Sequence, residues 1–195
     1  MNTTCKERTY IFSDDDYNSG DGMLTSIWGP GMWHYLHTMS FNYPVKPTKH
    51  DKKHYRDFVL QLQYVLPCGK CRENLKKNFK ELPLTQADME SRYTFSKYMY
   101  KLHEKVNTLL NKKSGLTYCD VRERYEHFRS RCMKTLKEKY VKNKTKKVRF
   151  SKELIKEKGC TEPLYGEKSK CILQIIPENT KCETLQIDEK CIKRK

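Results

Sequence analysis

The chain lacks a membrane-spanning segment: nothing in its 195 residues approaches the ~18 consecutive apolar positions that a bilayer crossing needs. Met1 to Tyr10 hold no apolar run either, so a secretory leader is not expected. Alternation of period two is nearly absent, which speaks against a sheet. No GxGxxG occurs, which excludes a dinucleotide held by a Rossmann unit. There is one CxxC and no second, so a four-cysteine zinc knuckle cannot be built from paired CxxC motifs. Acidic residues are scarce beside basic ones, 24 against 40, leaving a net charge of +16. With 36% hydrophobic residues and a mean hydropathy of −0.92, the core must be modest. One ordinary domain with an extension, or two very small ones, is the size that allows.

Nine cysteines are what the sequence has in excess. Without a leader they read as metal ligands or redox thiols before they read as a secreted disulfide scaffold. The positive charge raises nucleic acid or another acidic surface as a partner, but its distribution weakens that reading. From Met133 onward 18 Lys/Arg stand against 9 Asp/Glu, so the tail alone carries +9. Lys134 to Arg149 holds eight basic residues and one acid, Glu138. A strip of this kind is most often a solvated helix face, and aromatic interleaving beyond Tyr140 and Phe150 is missing, so nucleic acid is not expected as a partner.

Residues 1–23 read as a flexible arm, polar throughout, with Asp14-Asp15-Asp16 and Cys5. Residues 24–132 read as all-α, about five helices joined by short loops. The first is placed with Pro30 in its opening turn, presents Met32, Trp33, Leu36, His37 and Ser40 on one face, and stops at Tyr43-Pro44. The second carries Tyr55, Phe58, Val59, Leu62, Val65 and Leu66 inward and ends at Pro67. The third starts around Cys68 and buries Leu75 and Phe79. Thr85 with Asp88 resembles a capping box and is read as opening the long fourth helix, with Phe95, Met99, Leu102, His103, Val106 and Leu110 inward. Gly115 ends the segment after it. Thr117 caps the fifth, with Val121, Tyr125, Phe128 and Cys132 on one side, and this helix is read as continuing into the basic strip. Residues 133–195 form a basic extension with four cysteines. Two short segments there, from Lys170-Cys171 and from Lys181-Cys182, resemble each other, too few copies for a repeat fold.

Chemistry concentrates at Pro67-Cys68-Gly69-Lys70-Cys71. Two cysteines three apart close a small disulfide that can reopen. At a helix N-terminus the free N–H groups and the macrodipole favour a thiolate, and Lys70 and Arg72 add positive charge. A redox pair and a zinc ligand pair both use this spacing. The zinc reading would make the chain a non-enzymatic helical module, stapled by histidines and the two cysteines, with a basic tail for nucleic acid.

The surroundings favour redox. Trp28-Gly29-Pro30-Gly31-Met32-Trp33-His34-Tyr35-Leu36-His37-Thr38 precedes Tyr43-Pro44. The CxxC follows one helix later. Leu102-His103-Glu104-Lys105-Val106-Asn107-Thr108-Leu109-Leu110-Asn111-Lys112-Lys113 comes next. Three motifs in this order resemble the Erv/ALR family of FAD-dependent sulfhydryl oxidases, and look closest to versions carried by large cytoplasmic DNA viruses. The resemblance covers Trp28 to Cys132. It implies a four-helix bundle plus a short fifth helix that holds FAD. It also implies oxidation of protein dithiols to disulfides, with electrons passing from the CxxC through FAD to O2 and yielding H2O2.

By the same resemblance Cys71 is the flavin-proximal thiol and Cys68 the outer, interchange thiol. Trp33, His37 and Tyr43 line the cofactor from the first helix, where Gly29 permits close backbone approach. His103, Val106, Asn107 and Lys112 line it from the fourth, and Tyr118 and Tyr125 from the fifth. These residue types suit a flavin dinucleotide, with aromatic walls for the rings, His or Lys for the negative charge of a reduced flavin, and Lys for a pyrophosphate. Read alone, His37, Trp33, Tyr43 and Tyr125 are equally compatible with an ordinary core, and Lys112 with a solvated helix end. Glu104 replaces the family's usual Asn and Tyr98 a typical Trp.

The resemblance further implies a structural disulfide between Cys119 and Cys132, a homodimer through the first two helices, and no metal. Cys160, Cys171, Cys182 and Cys191 could act as a shuttle to the CxxC, as could Cys5, or could pair structurally to fold the tail. Nine is odd, which leaves Cys5 free or linking two subunits. The viral likeness and the missing leader place the protein in host cytoplasm or a virion, with the mitochondrial intermembrane space as the alternative.

Overall fold

The computed structural model describes residues 12–130, 160, 163–172, 174–177, 179–180 and 186–192. Among these, six α-helices and no strand are found: α1 (Asp14–Tyr17), α2 (Thr25–Phe41), α3 (Lys49–Val65), α4 (Gly69–Glu81), α5 (Arg92–Leu109) and α6 (Tyr118–Glu126). The expected four-helix bundle is α2 to α5, and α6 is the short fifth helix. The arm is not wholly irregular. Ser13 and Asp16 cap each other across the single turn of α1.

Local chemistry sets most helix ends. The Thr48 hydroxyl accepts from the Asp51 N–H at 3.1 Å, and Asp51 accepts in return from the Thr48 N–H at 2.8 Å, so α3 starts with a complete capping box. Thr117 and Asp120 do the same for α6. Two expected starts move. Thr85 and Asp88 bond reciprocally around the start of a 3-10 turn, Ala87–Met89, while α5 is opened separately by Ser91 with Thr94. Pro30 is not in the first turn, because α2 begins at Thr25 behind Leu24, which has no capping side chain. A proline at that depth forfeits one i→i−4 hydrogen bond. The helix runs on past it and buries Leu36, His37, Ser40 and Phe41. Helix α6 stops at Glu126 and does not continue toward the basic strip, whose residues lie outside those described.

The core sits between α2, α3, α4 and α5. Val59, Met89, Phe95 and Met99 are fully enclosed, with Leu36, Leu62, Leu75, Phe79, Tyr98 and Leu102 around them. Each such side chain contributes about 1.5–3 kcal/mol by leaving water. Phe58, Val65 and Leu110, expected inside, are 40%, 67% and 52% exposed. Val65 is the last residue of α3 and Leu110 the cap of α5, where neighbours run out. Phe58 instead meets Tyr35 of α2 edge-on at the surface, 6.0 Å between centroids.

Beyond α6 the chain turns back on itself. Ser130 forms one antiparallel bridge with Pro163, and the Leu164 N–H donates to the Arg129 carbonyl at 2.7 Å. Gly166, at φ +63°, lies so close to Cys191 that a Cβ would fall 2.5 Å from its carbonyl carbon, so only glycine fits there.

Candidate active site

Pro67 stops α3, the chain reverses, and Cys68 becomes the N-cap of α4 with extended backbone (φ −154°). Cys68 and Cys71 are joined as a disulfide, Cα–Cα 5.2 Å. The Cys71 N–H donates to Cys68 Sγ at 3.2 Å, so the outer sulfur takes the place a Ser or Asp oxygen has at other helix starts. Arg72 does not face the sulfurs: its guanidinium donates to the Leu66 carbonyl at 2.5 Å. Lys70 is exposed and pairs with Glu73 at 3.4 Å. The helix terminus itself is therefore the main positive influence on the pair.

From this end α2 carries a ridge away. Thr25, Gly29, Trp33, His37 and Phe41 recur every fourth residue, which stacks them on one face. At 1.5 Å per residue, Trp33 lies about 12 Å along the axis from Thr25. Thr25 reaches Cys71 Sγ at 3.6 Å. Trp33 stacks flat on His103 of α5, 4.0 Å between centroids and 5° between planes. His37 Nε2 and His103 Nδ1 are 2.9 Å apart and share one N–H. Phe41 stacks on Tyr125 of α6 at 5.4 Å, and Tyr125 also lies beside His37 at 5.3 Å. Tyr118 closes the far end, near Phe41 at 6.1 Å, with its hydroxyl 2.8 Å from Ser96 Oγ.

Both histidines are neutral at pH 7. Burial pushes His37 down to about 3, helped by the charges of His103 and His34. Burial also pushes His103 down to about 4, with Glu104 opposing. Burial of Tyr125 raises its hydroxyl to about 12. His37 is 4% exposed, yet its Nδ1 has no hydrogen-bond partner. A buried, unsatisfied ring nitrogen among flat π surfaces fits a planar heteroaromatic ligand able to complete the bond. The residues present thus fit a flavin.

The remaining expected site residues divide. Gly29 is buried on the ridge. Val106 and Asn107 sit half-buried on α5, and the Asn107 amide donates to Glu104 at 3.0 Å, so the departure at Glu104 engages the neighbouring Asn. Lys112 is exposed just past α5, its N–H bonded to the Asn107 carbonyl at 2.8 Å. Tyr43 does not join the ridge. It has no exposed surface, its ring packs on Tyr55 and Phe95, and its hydroxyl donates to the Met89 carbonyl at 2.9 Å, which makes it core. The expected Cys119–Cys132 bond is not made: Cys119, in the first turn of α6, is an exposed free thiol, and Cys132 lies outside the described residues. Cys160 is disulfide-bonded, while Cys171 and Cys191 are free. Cys5 and Cys182 lie outside the described residues. Sequence reasoning missed His34, whose Nδ1 is 3.3 Å from the Tyr125 hydroxyl, and Thr25. For His34 a signal was available: it precedes His37 by one turn.

Residues 30–129 match the family described as Erv1 / Alr. A probable FAD-linked sulfhydryl oxidase of Acanthamoeba polyphaga mimivirus is 38% identical over 104 residues, covering 53% of this chain and 72% of that protein. The FAD-linked sulfhydryl oxidase of Arabidopsis thaliana is 32% identical over 84 residues, 43% of this chain and 42% of that one. A putative FAD-linked sulfhydryl oxidase of Invertebrate iridescent virus 6 is 30% identical over 90 residues, 44% of this chain and 81% of that one.

Proposed function

Since the chain belongs to the Erv1/Alr family, we propose that it is an FAD-linked sulfhydryl oxidase that makes disulfides in thiol-containing proteins. The observation that carries this is the Cys68–Cys71 disulfide at the start of α4, set at one end of an aromatic and histidine ridge. A substrate thiolate attacks Cys68 Sγ. The Cys68–Cys71 bond breaks, and Cys71 leaves with the electron pair as a thiolate. The second substrate thiolate then attacks the substrate sulfur of the mixed disulfide and releases Cys68. The substrate has lost two electrons and the pair has gained them. Cys71 is the inner thiol, because its sulfur is the one that touches α2, the helix bearing Trp33 and His37.

FAD, when bound, supplies the electron acceptor that returns the pair to its disulfide and delivers the electrons to O2 as H2O2. Trp33, His37, His103, Val106, Asn107, Lys112, Tyr118 and Tyr125 would hold it. The buried His37 Nδ1 offers a hydrogen bond, and the stacked rings exclude water. Exposed Tyr35, Phe58 and Val65 on α2 and α3 support a second copy of the chain as a partner. The Cys160 disulfide serves either as a shuttle or as a structural bond of the tail. Two virus-encoded relatives support a place in host cytoplasm or a virion.

The purified protein should be yellow, with stoichiometric flavin, and should consume O2 when given dithiothreitol. Cys71→Ser should keep the flavin and lose turnover. A colourless protein, or a Cys71→Ser variant that oxidises dithiothreitol at the parent rate, overturns the reading.

A further inference from the structure

The Cys71 sulfur has a contact that these steps do not use. Thr25 Oγ1 lies 3.6 Å from it, across 46 residues of sequence. Disulfide-bonded Cys71 has no S–H, so the hydroxyl is the donor. The two sulfurs are thus served differently. Cys68 Sγ accepts from the backbone N–H of Cys71, while Cys71 Sγ has a side chain from another helix.

Thr25 is exposed, and several contacts hold the start of its helix against the CxxC. The Met23 N–H donates to the Pro67 carbonyl at 2.8 Å, which ties the approach to α2 onto the residue before the CxxC. Gly22 passes so close that a Cβ would stand 2.9 Å from the Pro67 carbonyl oxygen and 3.0 Å from Cys68 Cα. Trp28 Nε1 donates to the Met23 carbonyl at 3.1 Å. The Thr25 methyl sits 3.4 Å from where a Cβ on Gly29 would be, so the methyl faces along the helix and the hydroxyl faces the sulfur. Threonine takes two χ1 rotamers in a helix, and the sulfur contact with the methyl placed toward Gly29 marks the one adopted here.

Resting on the activity proposed above, we infer that Thr25 is the positioning residue for the inner thiol: its hydroxyl donates to the Cys71 sulfur when that sulfur leaves as a thiolate. In the disulfide the acceptor is weak. Once the S–S bond breaks, the leaving sulfur carries the electron pair and a full charge. A hydrogen bond to an ion is roughly twice as strong as one between neutral groups. The contact therefore strengthens when Cys71 becomes the electron donor and favours its ionised form.

The test reads the thiol directly. In a Cys68→Ser background, the rate of Cys71 alkylation by iodoacetamide is followed against pH, with peptides resolved by mass spectrometry. The full chain is used with Thr25, Thr25→Val, Thr25→Ala and Thr25→Ser. Removing the hydroxyl should move the midpoint of the alkylation curve up by about one pH unit, while Thr25→Ser should leave it within about 0.3 unit of the parent. Val and Ala provide two hydroxyl-free variants, so misfolding of one, seen by circular dichroism, leaves the comparison intact. Coincident curves for parent, Val and Ala overturn the inference. So does a Thr25→Ser shift as large as that of Val, because packing and not the hydroxyl would then be responsible. The visible spectrum of the same samples reports separately on the activity: a protein without flavin refutes that reading and leaves the thiol measurement standing.

Discussion

Acid should loosen this bundle well before its carboxylates protonate, and the His37–His103 pair is the reason. The two ring nitrogens are 2.9 Å apart with a single N–H between them, so a first added proton must form a cation on a buried ring and a second would place two cations in contact. Folded His37 titrates at about 3 and His103 at about 4, against 6.5 in an unfolded chain. Below pH 6.5 the unfolded state therefore takes up protons that the folded state refuses. Stability from this source is complete above pH 6.5 and is lost as pH falls toward 4. Between pH 7 and pH 5 an ideal residue of this kind loses about 2 kcal/mol. His37 is 4% exposed and counts in full. His103 is only partly buried, and solvent reduces its share, leaving about 3 kcal/mol for the pair. That is a large part of the ~5–15 kcal/mol of a typical domain. The paired carboxylates of Asp51, Asp57, Glu81, Asp120 and Glu126 are all held below their usual range and matter only at lower pH. The assay is urea unfolding by circular dichroism at pH 7 and pH 5, at one ionic strength and one flavin content, for the parent and His37→Gln. The parent should lose about 3 kcal/mol on acidification and the variant about half of that. Equal parent stability at the two pH values, or an unchanged difference in His37→Gln, refutes the reasoning.

Two further outcomes follow from packing. Gly22→Ala places a Cβ within 3.0 Å of backbone atoms of Pro67 and Cys68, neither of which can swing aside, so the segment before α2 must lift. The expected result is a lower melting temperature together with faster reduction of Cys68–Cys71 by a phosphine, and a variant matching the parent in both would show that the contact is slack. Tyr43→Phe leaves the Met89 carbonyl buried without its donor, at a cost of about 1–3 kcal/mol in urea unfolding. The flavin spectrum should not change, since Tyr43 has no surface toward the ridge; a shifted spectrum would return this residue to the cofactor wall.

How much could be read beforehand depended on whether a signal was local. Thr117 marked the start of α6 because an N-cap is a local signal, and the structure completes it with Asp120 as a capping box. The same signature at Thr85 and Asp88 misled, since a cap says where a turn begins and not how long it runs. The true start of α5 uses Ser91 with Thr94, a pairing that lacks the acidic residue usually sought. Leu24 ahead of α2 offers no cap at all, which let Pro30 pass for a helix start. Trp33, His37 and His103 were nominated by the likeness of their motifs to the family, and the structure brings their rings together. Tyr43 was nominated with them although it is core, because aromatic residues facing a cofactor and facing a core have the same periodicity, and only the Met89 carbonyl at its hydroxyl separates the two. Thr25 marks the limit of local reading. Its place on the four-residue ridge is periodic and could have been noticed, but its importance comes from Cys71, brought beside it by a helical hairpin and a tight crossing at Gly22 and Pro67. Residue types and spacing can nominate the sulfur that reacts; the group that would stabilise it is set by which helix end folds against it.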